Sequence, residues 1–93
     1  MNEDKVKEYN LKPLARIVSF ADAAVDPVDF TIAPAHSIRK LLGFAGLKTT
    51  DIDFWEINEA FAVTVLSNVR MLDIDMERVN IHGGAIAQGH PVG

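Results

Sequence analysis

The most constraining feature of this sequence is a glycine-rich segment at residues 83–93, which holds four of the six glycines in the chain. The segment follows the apolar run Val79-Asn80-Ile81 closely and contains a histidine, His90. Glycines at this spacing favour a loop, because glycine adopts positive φ at little cost. Such a loop normally leads into another packed element, so the segment predicts that the chain is a fragment of a larger domain.

Three helices are predicted from the spacing of charged and apolar residues. A charged stretch at residues 3–9 is expected to form a short surface helix that stops at Asn10. A second helix is expected from Pro34 to just before Gly46, because its apolar residues recur every three or four positions. The same spacing predicts the longest helix over residues 61–72.

Apolar runs rich in β-branched and aromatic residues predict three strands, the first of them buried, at residues 14–21, 52–57 and 79–82. Strands that alternate with helices over short connections are typical of an α/β fold with right-handed crossovers. The predicted architecture is a partial parallel sheet with helices on its faces. A single incomplete domain would cover residues 1–93.

Composition excludes several functional classes. The chain has 93 residues, of which 48% are hydrophobic, and a net charge of -4 with a pI near 5.2, so it lacks the clustered basic charge that nucleic acids or anionic membranes attract. An apolar run of about 20 residues and a secretory signal are both absent, so we expect an intracellular protein without membrane contact. Cysteine is absent, which excludes a disulfide framework and any thiol nucleophile within these residues.

Two polar side chains, those of Asn58 and His90, follow predicted strands where helices are expected to begin. Because ligands of open parallel sheets gather at the carboxyl ends of the strands, we expect these side chains to lie close together. Structural interpretations stay open for both residues. Asn58 could simply cap a helix, and His90 could be a surface residue in an ordinary turn.

Other functional sites receive little support from the sequence. The glycines match neither dinucleotide-binding nor P-loop patterns, since His90 rather than lysine follows Gly89. A serine in a G-x-S-x-G elbow is absent, which argues against a serine hydrolase. The three histidines have no metal-ligand spacing, so no metal site is predicted at His36, His82 or His90.

The combined motifs resemble those of the thiolase family. N-E-A-F-A at residues 58–62 and G-G-A-I-A-Q-G-H-P-V-G at residues 83–93 have the order and spacing of the thiolase C-terminal domain, and residues 14–25 extend the likeness. The motifs are most similar to those of thiolases that condense two acetyl-CoA molecules into acetoacetyl-CoA and CoA, or catalyse the reverse. The resemblance implies a thiolase-like fold, acyl-CoA substrates, no separate cofactor and a homo-oligomer.

The resemblance also implies roles for individual residues. The histidine of G-H-P, here His90, would donate a hydrogen bond to the thioester oxygen and help to activate the nucleophilic cysteine. The asparagine of N-E-A-F, here Asn58, would hold a water that supplies the second donor, whereas Glu59 would be structural. Substrate-binding residues would be Phe61 and Ala60 at the pantetheine channel, with Gly83 and Gly84 in the loop.

Both family cysteines, the acyl carrier and the acid/base, would lie outside this chain, which contains none. Two hypotheses therefore follow. The chain is either part of such an acetyltransferase, or a non-catalytic remnant of the fold that binds CoA or another protein. The compartment is expected to be mitochondrial or cytoplasmic.

Overall fold

The core of the chain forms between two helices in the computed structural model, which describes residues 1–89. These are α2, Ala33–Ala45, and α3, Ala62–Leu72. Apolar residues spaced three or four apart place one face of each helix inside, and fully burying one such side chain contributes about 1.5–3 kcal/mol. The buried apolar residues are Ala35, Leu42, Trp55, Ile57, Val65, Val69, Leu72, Ile74 and Val79.

The helix ends follow from local capping chemistry. The first helix, α1, spans Glu3–Glu8, and Asn10 has a φ of 50°, which confirms the predicted stop. Gly46 ends α2 with a φ of 67°, and the Leu47 N–H donates to the Leu42 carbonyl at 3.0 Å. With 13 residues α2 is longer than α3, which has 11, so the prediction that α3 is the longest helix is wrong.

A buried asparagine ties α3 to the segment before α2. The Asn68 side chain is completely buried, and its amide nitrogen donates to the Thr31 carbonyl at 2.7 Å and to the Thr64 carbonyl at 2.6 Å. Thr31 lies in a 3-10 helix, Pro27–Ile32, that leads into α2. Two further 3-10 helices, Thr49–Asp51 and Met76–Arg78, and the short helix α4, Ala85–Gln88, complete the regular structure of the described residues.

The predicted sheet is reduced to one parallel bridge, between Trp55 and Val79, in the part of the chain that the structure describes. The pairing stops there because Asn80 turns the backbone with a φ of 49°. Residues 14–21 do not form the predicted buried strand: they have no strand pairing, and Ile17 is 87% exposed. A strand needs a neighbour to bond with its backbone, and residues 1–89 offer this segment none.

The helices of residues 1–89 were also compared with the requirements for crossing a bilayer. None of them combines the length and the apolar character that a membrane span requires. The longest, α2, has 13 residues, whereas a spanning helix needs about 20.

Candidate active site

The site begins at the parallel bridge between Trp55 and Val79, which aligns the segments leading to the two sequence motifs. The Trp55 N–H donates to the Arg78 carbonyl at 2.8 Å, and the Asn80 N–H donates to the Trp55 carbonyl at 2.8 Å. Both segments run in the same direction, so the residues that follow each of them emerge at the same end. The bridge therefore brings Asn58 and the described part of the glycine segment, residues 83–89, toward each other. The predicted approach of His90 to Asn58 stays a prediction, because His90 lies outside the described residues.

The side chain of Asn80 continues the pairing where the backbone turns away. Its Oδ1 accepts from the Ile57 N–H at 2.9 Å, and its Nδ2 donates to the Ile57 carbonyl at 3.0 Å. One amide group thus satisfies both backbone groups of a buried residue, in the way a neighbouring strand would. The Gly83 N–H then donates to the Asn80 carbonyl at 2.8 Å and closes a tight turn. Asn80 therefore fixes the backbone of Ile57, the residue before Asn58, relative to the turn at residues 80–83.

The carboxylate of Glu59 links the same two segments a second time. Its Oε1 accepts from the Asn80 Nδ2 at 3.1 Å, and its Oε2 accepts from the Ile86 N–H at 2.9 Å. The side chain is half-buried, and ionised carboxylates accept stronger hydrogen bonds than neutral groups do. Glu59 therefore anchors the start of α4 to the residue that follows Asn58.

The two glycines at the start of the loop are needed for different reasons. Gly83 has a φ of 96°, a conformation that disfavours any side chain, although the space around it is open. Gly84 has an ordinary φ of -106°, but a Cβ there would lie 2.0 Å from the Cδ and Oε1 of Glu59. Gly84 is therefore a glycine because the Glu59 carboxylate occupies the space of its side chain.

Asn58 lies exposed between two clefts. Glu56, Ile57 and Asn58 line both of them. The first cleft, about 250 Å³, also contacts Gly83 and Gly84, and the second, about 370 Å³, contacts Ala60. The asparagine does not cap α3, whose N-cap is Phe61, so the capping interpretation is wrong. The Asn58 side chain is free of that local role and faces space large enough for part of a ligand.

The remaining predicted site residues take different positions. Phe61 is 58% exposed, and its ring packs edge-on against Phe30 with centroids 5.9 Å apart. The structure thus brings together Asn58, Gly83 and Gly84, with Ala60 nearby. His90 lies outside the described residues, so its predicted role stays a prediction. Over residues 1–89 no group of three or more histidine, cysteine, aspartate or glutamate residues is placed to hold a metal ion.

Comparison with known proteins identifies the family. The model of the thiolase C-terminal domain matches residues 11–93. The chain belongs to the thiolase family. It is 58% identical over all 93 residues to the mitochondrial acetyl-CoA acetyltransferase of Mus musculus, and it spans 22% of that protein's length.

Solved thiolases have the same fold as this chain. A thiolase from Ascaris suum in complex with coenzyme A superimposes with a TM-score of 0.96 at 49% identity, covering 99% of this chain and 24% of that one. The dimeric peroxisomal thiolase of Saccharomyces cerevisiae gives 0.91 at 44% identity, covering 96% and 23%. The thiolase-like fold is therefore confirmed, although the parallel sheet is not.

Sequence reasoning missed the contacts that join the two motifs. Glu59 was expected to be only structural, and Asn80 was not singled out at all. A signal for Asn80 existed, because asparagine is enriched among non-glycine residues with positive φ, and Asn80 precedes a glycine pair by three residues. The role of Glu59 depends on a residue 27 positions away and leaves no local pattern.

Proposed function

We propose that this chain forms the enolate-stabilising side of a thiolase active site, in an enzyme that condenses two acetyl-CoA molecules into acetoacetyl-CoA and CoA or catalyses the reverse reaction. The proposal rests on one observation. Asn80 and Glu59 hold the residues on either side of Asn58 against the segment that contains Gly83 and Gly84, and Asn58 lines one cleft with both glycines. Family membership supports the reaction class.

The chemistry requires donors at this position. Removing a proton next to a thioester carbonyl places negative charge on the carbonyl oxygen, and this step is feasible only where preorganised donors meet that charge. Asn58 would hold a water as one donor, and the imidazole of His90 would be the other. The Asn58 amide suits this role because it is exposed at both clefts and does not cap α3.

Neighbouring residues would bind the substrate. Ala60 lines the second cleft, which is mostly apolar and suits the pantetheine arm of CoA, and Phe61 stands exposed near it. Gly83 and Gly84 keep side chains out of the first cleft. The acyl-CoA is a substrate rather than a cofactor, and the reaction needs no other organic group.

Other parts of a complete enzyme would finish the site and the sheet. The acyl-carrying cysteine and the acid/base cysteine would come from outside this chain, which has neither. Residues 14–21 are mostly apolar and belong to none of the helices of residues 1–89, so we propose that they become a strand once neighbouring strands are supplied. The Trp55–Val79 bridge would then extend into a parallel sheet.

We further propose a homo-oligomer located in mitochondria. The mouse relative is named a mitochondrial enzyme, and the yeast thiolase is described as dimeric. The apolar side chains exposed along residues 14–20 offer surface that an assembly would bury.

A chimera tests the function. This chain would replace the 93 matched residues of the mouse acetyltransferase, whose remaining residues are proposed to supply both thiols. We expect the chimera to cleave acetoacetyl-CoA. Asn58→Ala or His90→Ala should then lower kcat by about 10²–10³, because each removes a donor used mainly in the transition state. The KM for CoA should change little.

Controls separate this function from the alternative. Asn2→Ala removes only the cap of α1 and should leave turnover unchanged. The 93-residue chain alone should have no activity, because it lacks a thiol. Turnover by the chain alone, or an Asn58→Ala chimera with weaker substrate binding and normal kcat, would contradict the proposal. An inactive chimera that still binds CoA would favour the non-catalytic remnant.

A further inference from the structure

We propose that Glu59 is a positioning residue of this site, which holds the turn and helix at residues 83–89 in place relative to Asn58. This inference rests on the proposed function and assigns a role that the motif resemblance leaves as merely structural. It starts from one observation: the Glu59 carboxylate accepts hydrogen bonds from Asn80 on one side and from the Ile86 backbone on the other.

A local structural role for Glu59 does not account for these contacts. An acidic residue before a helix usually complements the helix dipole or caps the first turn. Glu59 instead sends both oxygens to a different segment, 21 and 27 residues away, while α3 begins at Ala62 with no side-chain cap. Its hydrogen bonds therefore hold residues 58–59 against residues 80–86 and do not stabilise α3.

Gly84 shows a second consequence of where the Glu59 carboxylate lies. Its φ of -106° is open to any residue, so the backbone itself does not demand glycine. The three nearest atoms to a Cβ at this position all belong to the Glu59 carboxylate, at 2.0–2.1 Å. The position is thus shaped around Glu59, and the close approach of carboxylate to backbone needs both residues together.

The anchoring lies next to the proposed donors on both sides. Glu59 is bonded directly to Asn58 in the chain, and Asn80, which donates to Glu59, also fixes Ile57. On the other side, the Gly89 N–H donates to the Ala85 carbonyl at 2.6 Å, and His90 follows in sequence. A displacement of about 1 Å in a catalytic group can cost about 10²-fold in rate. One carboxylate therefore fixes both the residue next to Asn58 and the described segment that precedes His90 in the sequence.

The test is a double-substitution cycle in the chimera described above. Glu59→Ala should lower kcat by about 10–100-fold with little change in KM, since the donors remain but lose their fixed geometry. Glu59→Gln should recover part of this loss, because the amide oxygen can still accept one of the two hydrogen bonds. Gly84→Ala should also lower kcat, through collision with Glu59.

The double-substitution cycle should give a result that only a direct contact between Glu59 and Gly84 explains. Gly84→Ala should cost little further activity in the Glu59→Ala background, because the colliding atoms are gone. Gly83→Ala, whose cost comes from positive φ, should remain additive with Glu59→Ala. Gly43→Ala on the exposed face of α2 should leave kcat unchanged. Additive effects of Glu59→Ala and Gly84→Ala would overturn the proposal.

If the chimera is inactive, the anchoring by Glu59 can still be tested by a measurement that does not depend on turnover. Hydrogen exchange followed by mass spectrometry on the 93-residue chain reports on residues 83–89 directly. Glu59→Ala should accelerate exchange there by at least about 10-fold, because the Ile86 N–H loses its acceptor, and Gly43→Ala should not. Unchanged exchange would refute the anchoring. If Asn58→Ala has normal turnover while Glu59 and Gly84 still couple, the proposed function fails and the anchoring stands.

Discussion

Two apolar runs of this chain look alike in sequence and differ in the structure. Residues 14–21 and residues 52–57 are both bounded by turn signals and contain β-branched or aromatic residues. In the second run, Trp55 and Ile57 are each 8% exposed. In the first run, Ile17 is 87% exposed and Phe20 is 83% exposed.

The difference comes from what each run meets within the chain. Trp55 and Ile57 belong to the buried apolar cluster, and their backbone groups bond to Arg78 and Asn80, so the backbone and the side chains both have partners. Residues 14–21 hold few such contacts: the Ala21 carbonyl accepts from the Ser37 hydroxyl at 2.9 Å, close to the end of the run. An apolar run becomes a buried strand only when neighbours exist, and the candidate site lies where they do.

Truncating one side chain in the packed core and one in residues 14–21 should give the largest difference in stability. Leu72→Ala removes a buried core residue and should destabilise the chain by about 2–5 kcal/mol, through lost burial and a cavity. Ile17→Ala should change stability by less than about 0.5 kcal/mol, because the side chain is already in water. Urea denaturation of both variants measures this, and equal losses would show that residues 14–21 are packed.

Self-association is the second expected consequence. The exposed apolar residues along 14–20 should make the chain associate at micromolar concentration, since apolar patches beyond a few hundred Å² are uncommon on monomers. Sedimentation velocity should detect the association. Ile17→Asp should weaken it by about 10-fold or more, whereas Thr50→Asp adds the same charge at an exposed position elsewhere and should not. A monodisperse monomer with a sharp melting transition would contradict this expectation.

Glycine substitutions in α2 and at its C-cap should give smaller effects than Leu72→Ala, and they test how far local backbone conformation determines the packed region. Gly46→Ala forces a side chain into the left-handed conformation and should cost about 1–2 kcal/mol, although the space is open. Gly43→Ala, inside α2, should stabilise the chain by about 0.5–1 kcal/mol. Thermal melts of the two variants test whether their stability changes have opposite signs. Changes of the same sign would argue against the role of Gly46 as the C-cap of α2.

The elements that the sequence predicts well are those that local chemistry determines. Asn10 and Gly46 end helices where expected, because their backbone conformations belong to those residue types. The predicted strand at residues 14–21 does not form within residues 1–89, because strand formation depends on partners that a local pattern does not contain. Asn58, Gly83 and Gly84 line one cleft beyond the parallel bridge, but the predicted approach of His90 to Asn58 stays a prediction. The Glu59 contact with Ile86 required the tertiary structure.

Residue-resolved amide exchange by NMR tests the central claim most directly, which is that the site is held within the packed region and does not depend on residues 14–21. In a sample dilute enough to be monomeric, the N–H groups of Trp55 and Asn80 should exchange at least about 100-fold more slowly than that of Ile17, a difference of about 3 kcal/mol in local opening. The Ile86 N–H should also be protected. Equal exchange at Ile17 and Trp55, or an unprotected Ile86 N–H, would contradict the account.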